Sequence, residues 1–133
     1  MTNEEHLTRV DPRIRAKVEA VLRDLRGHGW QPQIATSWRS LEEQRAKKAQ
    51  GRSLVSWSYH NNLRGGQPSA LAVDIIDRRY AWGIPQDHQF WRDLGSSAEA
   101  HGMTWGGRWK RLPDVAHIEV RGISLSQARR ASG

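Results

Sequence analysis

The sequence predicts an α+β fold, a small antiparallel sheet flanked by helices, and three observations carry that prediction. Amphipathic stretches and short strand-like runs are mixed without the regular strand–helix–strand rhythm of a parallel sheet. One run, Ala70 to Asp77, is almost continuously apolar and has the length of a buried strand. No internal repeat is visible, and 133 residues suffice for one ordinary core. We therefore expect a single domain with its core over about residues 11–130, preceded by a loosely ordered tail over 1–10.

Taken in order, Asp11 as N-cap and Pro12 in the first turn start a helix in which Ile14, Val18, Val21, Leu22 and Leu25 share one face. Gly27 and Gly29 end it, with His28 in a structural position at its C-terminus. Gln33 to Thr36 reads as a short strand. Ser40 and Glu43 form a capping box for a helix reaching about Gln50, and Gly51 stops it. Residues 52–68 have no periodicity and contain Asn61-Asn62 and Gly65-Gly66, so they read as a long loop with a tight turn, a kind of segment that is usually functional.

In the strand over 70–77, Leu71, Val73 and Ile75 share one face, while Asp74 projects from the other between Ala72 and Ile76. A carboxylate there needs a partner, either a metal ion or one of the many arginines. Asp87 is the expected N-cap of a helix from Gln89 to about Ala100, with Phe90, Trp91 and Leu94 inward; His88 and His101 read as capping or surface residues. Met103 to Trp109 predicts a strand followed by a glycine-rich loop whose backbone approaches something closely. His117 to Val120 is a short strand with His117 and Glu119 on one face, and a helix from Ser124 to about Arg130 closes the chain.

Composition narrows the chemistry. The absence of cysteine excludes disulfides and thiolate metal sites, leaving imidazole and carboxylate as metal ligands. A net charge of +7 predicts an anionic partner, and by itself leaves nucleic acid, a membrane surface and a wall polymer equally open. Met1 to Val10 is polar and acidic, unlike a secretory signal, and no apolar run approaches a membrane span, so synthesis in the cytoplasm is expected. Two imidazoles, His60 and His117, together with Asp74 and a further carboxylate at Asp114, make up the parts of a catalytic zinc centre: three ligands and a spare base. Glu119, on the same strand face as His117, is placed to orient that imidazole.

The ordered wording Ser58-x-His60, Ala70-x-Ala72-x-Asp74, Trp105-Gly106-Gly107 and Asp114-x-x-His117-x-Glu119 resembles the zinc peptidoglycan peptidases related to VanY-type D-Ala-D-Ala carboxypeptidases and the phage L-alanyl-D-glutamate endopeptidases. Thr36-Ser37-Trp38-Arg39-Ser40 with Gln44 is similar to that family's Gly-Tyr-Arg-Ser segment and downstream Gln, so the resemblance covers about residues 34–120. It implies a Hedgehog/D-Ala-D-Ala-peptidase-like fold and one zinc ion held by His60, Asp74 and His117. Asp114 is then the catalytic carboxylate and Arg39 the group that binds substrate or the developing oxyanion. Ser58, Gln44, Glu119 and Trp105 fall in supporting or substrate-contacting positions.

The implied activity is zinc-dependent hydrolysis of the peptidoglycan stem peptide at the L-Ala–D-Glu bond. The implied setting is a monomeric phage or prophage endolysin released through a holin and drawn to an anionic wall or outer-membrane surface. A D-Ala-D-Ala carboxypeptidase is the alternative within the family. A non-catalytic, tryptophan-rich module binding cell wall or nucleic acid is the alternative of another class, although Trp30, Trp91 and Trp105 fall at core positions and no nucleic-acid motif is present. The chain departs from the family pattern in two places. Trp38 stands where the family has Tyr, and the loop Asn61 to Ser69 lengthens the connection between His60 and Asp74, so the path of that loop decides whether the two reach one ion.

Overall fold

The computed structural model describes residues 1–132. In chain order the elements are α1 (Asn3–Leu7), α2 (Pro12–Gly27), β1 (Pro32–Thr36), α3 (Leu41–Ala49), β2 (Leu63–Arg64), β3 (Gln67–Pro68), β4 (Ala72–Asp77), α4 (Gln89–Ala100), β5 (Thr104–Trp105), β6 (His117–Glu119) and α5 (Leu125–Ala131). Short 3-10 turns cover Tyr59–Asn61 and Gly106–Arg108. Strands β1, β4, β6 and β5 form, in that order, a sheet antiparallel throughout, and β2 pairs with β3 in a separate hairpin. Among the described residues, no helix is long and apolar enough to cross a membrane.

Alternation along β4 divides the sheet into two chemically different faces. Val73 and Ile75 join Ile34 and Ile118 in a core completed by α2 and α4, which pack on each other with Ile14, Val18, Val21, Leu25, Phe90, Trp91 and Leu94 buried. These are the helix faces that the 3.6-residue period predicts. Asp74 and His117 project from the other face. Trp30 and Trp105 lie half-buried against the core, and the Trp30 indole donates to Asp93 Oδ2 at 2.8 Å. Gly106 makes the close approach its loop implies, since a Cβ there would lie 2.6 Å from the Asp114 carbonyl oxygen.

Three expectations need correction. Residues 1–10 are not a loose tail. Thr2 and Glu5 form a capping box that starts α1, Val10 is buried, and its strand-like bridge to Ala70 ties the segment to the entry of β4. Asn3 is the anchor: its Nδ2 donates to the Pro32 carbonyl at 3.1 Å and its Oδ1 accepts from the Ile34 N–H at 2.8 Å, so α1 satisfies backbone groups at the edge of β1. Second, His88 and not Asp87 caps α4, because its Nδ1 accepts from the Phe90 N–H at 3.1 Å. Third, the stretch 52–68 is not all loop. Gly65 and Gly66, with φ of 58° and 77°, supply the two left-handed positions of a tight turn, and β2 and β3 zip on either side of it.

The α1 anchor yields a prediction. Asn3→Ala removes both bonds and leaves a buried carbonyl and N–H without partners, which should cost about 1–3 kcal/mol of unfolding free energy. Urea unfolding monitored by tryptophan fluorescence checks this; an unchanged midpoint would mean that α1 is not integral to the fold.

Candidate active site

His60, Asp74 and His117 arrive from three elements, and the backbone holds each in place. Asp74 and His117 are directly opposed on β4 and β6, so the sheet register brings them together. His60 sits in the turn Tyr59–Asn61, where the Leu71 N–H donates to the Tyr59 carbonyl and the Arg39 N–H to the His60 carbonyl, both at 2.9 Å. Asn61 Nδ2 adds a bond to the Arg39 carbonyl at 2.8 Å. The loop that follows is closed at its base, where the Ser69 N–H donates to the Asn62 carbonyl at 3.0 Å and Asn62 Nδ2 to the Ser69 carbonyl at 2.8 Å. The added residues therefore stand outside as the β2–β3 hairpin while His60 reaches Asp74.

The donor atoms converge. His60 Nε2 lies 3.3 Å from His117 Nδ1, and Asp74 offers Oδ1 to His117 Nδ1 at 3.2 Å and Oδ2 to His60 Nε2 at 3.6 Å. Zinc bonds of about 2.0–2.2 Å place tetrahedral ligand atoms about 3.3–3.6 Å apart, so this set has the right chemistry and spacing for that ion. The outer nitrogens fix the tautomers. His60 Nδ1 is 2.7 Å from the Ser37 carbonyl, which can only accept, so Nδ1 carries a proton and Nε2 is the nitrogen turned to the cluster. His117 Nε2 lies 2.7 Å from Glu119 Oε1, which turns Nδ1 to the cluster in the same way.

The neighbouring charges are coupled to this cluster. Burial opposes ionisation of Asp74, yet the facing His60 and the hydrogen bond from His117 hold its carboxyl well below the usual range. Asp114 shifts the other way, pushed up by burial and by the nearby Asp74 charge. Burial disfavours the charged His117 imidazole, but hydrogen bonds to Asp74 and Glu119 outweigh it, and in the metal-free protein its pKa is pushed up to about 10. Arg39 is buried with Nη2 3.7 Å from Asp74 Oδ2, and Nη1 donates to Gln44 Oε1 at 2.9 Å. Gln44 is itself held through Nε2 by the Val55 carbonyl at 2.8 Å and Ser53 Oγ at 3.0 Å, and Ser58 Oγ donates to Gln44 Oε1 at 3.2 Å.

A cleft of about 750 Å³ opens over these groups, lined by Arg39, Gln44, Ser58, His60, Asp114, His117 and Glu119 among others. The structure thus brings together all but one of the residues singled out from sequence. The exception is Trp105. Its ring packs on Gly95 and Gly107, where an added Cβ would come within 2.4 and 2.1 Å, and its Nε1 donates to the Val115 carbonyl at 2.8 Å. Trp105 therefore shapes the segment that carries Asp114 and does not line the cleft. Sequence reasoning passed over Lys47 and Trp109, which do line it. Lys47 had a usable signal, one helical turn beyond Gln44; Trp109, whose ring lies 5.1 Å from that of His117, had none.

The sequence model of the family described as D-alanyl-D-alanine carboxypeptidase matches residues 52–120, which include His60, Asp74, Asp114 and His117. The chain belongs to that family. Within reach of the D-alanyl-D-alanine carboxypeptidase family, the peptidoglycan L-alanyl-D-glutamate endopeptidase CwlK of Bacillus subtilis (strain 168) is 30% identical over 101 residues, 65% of this chain and 59% of CwlK. The chain thus spans about three fifths of that relative's length. Among solved structures, the Serratia marcescens L-Ala D-Glu endopeptidase ChiX superposes with a TM-score of 0.69 at 22% identity, covering 90% of this chain and 86% of ChiX. The vancomycin resistance D,D-pentapeptidase VanY, an E175A mutant in complex with Zn(II), superposes with a TM-score of 0.52 at 15% identity over 91% of this chain and 76% of VanY. Both share the fold.

The His117 environment sets a pH dependence. A pKa raised from 6.5 to about 10 stabilises the metal-free fold fully below pH 6.5, and that contribution is lost as pH rises toward 10. Urea unfolding of chelator-treated protein should show the midpoint falling across this window, with a shallower fall in His117→Asn. Parallel curves for the two proteins would contradict the assignment.

Proposed function

We propose that this chain is a zinc-dependent peptidase of the peptidoglycan stem peptide, cutting between L-Ala and D-Glu. The observation that carries the reading is the convergence of His60, Asp74 and His117 on one point, with Asp114 in the same cleft. The likeness to CwlK supports the choice of bond. In this reading the three converging residues hold one zinc ion. When bound, zinc polarises the scissile carbonyl and acidifies the attacking water.

The remaining work falls to the chain's own side chains. Asp114 accepts a proton from the attacking water and hands it to the departing amine. The burial that raises its pKa makes it a stronger base than a solvated carboxylate. Arg39 supplies fixed positive charge toward the developing oxyanion, and Gln44 holds its guanidinium in place for that purpose. Glu119 and the Ser37 carbonyl keep the two imidazoles turned toward the centre. We read the biological role as that of a phage or prophage endolysin, with the net charge of +7 favouring adhesion to anionic walls. Lysis of a host that co-expresses the chain with a pore-forming holin, and not of a host expressing the chain alone, tests this role and its route to the wall.

A second reading, a D-Ala-D-Ala carboxypeptidase, has the family description in its favour. Mass spectrometry of digested muropeptides separates the two, since the carboxypeptidase releases free D-Ala and the endopeptidase releases stem fragments that begin with D-Glu. Asp114→Asn should keep stoichiometric zinc and lose about 10²–10⁴-fold in kcat. His117→Ala should lose both zinc and activity. Metal analysis alongside the digest checks both variants; undiminished digestion by His117→Ala after chelation would end the zinc-peptidase reading, and binding to walls without new amines would return the chain to a binding module.

A further inference from the structure

Four cationic side chains line the cleft: Arg39, Lys47, Arg52 and Arg111. Arg39 is engaged by Gln44 and Asp74. Among the described residues, the other three take part in no ion pair and no side-chain hydrogen bond. The cleft therefore holds three basic side chains that no carboxylate of the described residues engages directly, beside the acidic Asp114 and Glu119.

Lys47 is the member that burial makes informative. It lies on α3 one turn beyond Gln44, half-buried in the cleft wall, so its stem is fixed to the same helix that positions Arg39. Burial, and then the like charge of Arg39, depress its pKa, while Asp74 and Asp114 are near enough to act against that shift. With no partner of its own in the cleft wall, the Lys47 ammonium is free to pair with an anion that enters. Arg52 and Arg111 are exposed on the rim, and Leu54, Leu112 and Trp109 supply apolar surface around them.

We infer that Lys47, assisted by Arg52 and Arg111, binds a free carboxylate on the substrate residue that follows the cleaved bond, and so selects D-Glu over its carboxamide form. The inference rests on the endopeptidase reading. In a stem peptide, D-Glu is joined onward through its side-chain carboxyl, which leaves its α-carboxylate free immediately after the L-Ala bond. Amidation of that group to D-isoglutamine removes the charge and changes little else. Lys47 is thereby a determinant of specificity, distinct from the groups that hold metal or move the proton.

The test compares two soluble stem peptides, one with D-Glu and one with D-isoglutamine, on the wild type, Lys47→Met and Lys47→Arg, each loaded with zinc. The wild type should favour the D-Glu peptide in kcat/KM by about tenfold or more, as expected for a charge-assisted contact. Lys47→Met should bring the ratio close to one, mainly by weakening turnover of the D-Glu peptide, and Lys47→Arg should retain most of the preference. Calorimetric binding of the same pair to Asp114→Asn reads the ratio without turnover, and its shrinkage at high salt would support a charge contact. If Lys47→Met fails to fold, the exposed pair Arg52→Gln/Arg111→Gln should reduce the same ratio. A wild type that cleaves both peptides equally, or a folded Lys47→Met with the wild-type ratio, overturns the inference and leaves the endopeptidase reading intact. A wild type that cleaves neither peptide and releases only D-Ala overturns the endopeptidase reading itself.

Discussion

The site depends above all on one cross-strand pair, Asp74 opposite His117 on adjacent antiparallel strands. Pairing across a sheet has a period of two, so a slip of one residue would send one of these side chains into the core and an isoleucine toward the cleft. The apolar residues prevent it. Val73 opposite Ile118 is the neighbouring pair on the other face, and both are fully buried against α2 and α4. Hydrophobic packing on one side of the sheet thereby sets the distance between a carboxylate and an imidazole on the other.

A buried carboxylate, a half-buried one, two imidazoles and a guanidinium within one cluster would be unstable without a division of labour among them. Asp74 is surrounded by donors and stays ionised, while Asp114 faces that negative charge and binds its proton more tightly. The same proximity that makes one carboxylate a good ligand makes the other a good base. A second tier of contacts keeps the assignment rigid: the Ser37 carbonyl behind His60, Glu119 behind His117 and Gln44 behind Arg39. Each is a backbone group or a side chain on a regular element, or, like Gln44, is fully buried.

Much of this was legible in the chain because the informative residues break local rules. Asp74 within an apolar strand and His117 alternating with Ile118 announce a polar face on a buried sheet, and the helix faces follow from their spacing. What sequence could not supply was long-range. The order of α1 depends on Asn3 meeting backbone groups about thirty residues away, a contact with no local signature. His88 displaces Asp87 as a cap because an imidazole nitrogen can accept from the Phe90 N–H as a carboxylate would, a choice decided by where the chain enters α4. Trp105, part of the Trp105-Gly106-Gly107 wording, read both as a core residue and as a supporting or substrate-contacting one; the glycines at 95 and 107 that admit its ring were visible, but which surface they faced was not.

The hairpin β2–β3 illustrates how a fold tolerates growth next to its most constrained atoms. Its two strands lie between Asn62 and Ser69, which are clasped to each other at the base of the hairpin. Beyond the clasp, the Leu63 N–H donates to the hydroxyl of Ser132, the residue that caps the end of α5, and Arg64 lies 3.9 Å from Asp11. Neither of these anchors runs through His60, Asp74 or His117, so the contacts that hold the hairpin are distinct from those that hold the centre. A loop of this kind is a natural attachment point on the molecule, where new surface can be added to a hydrolase without retuning its chemistry.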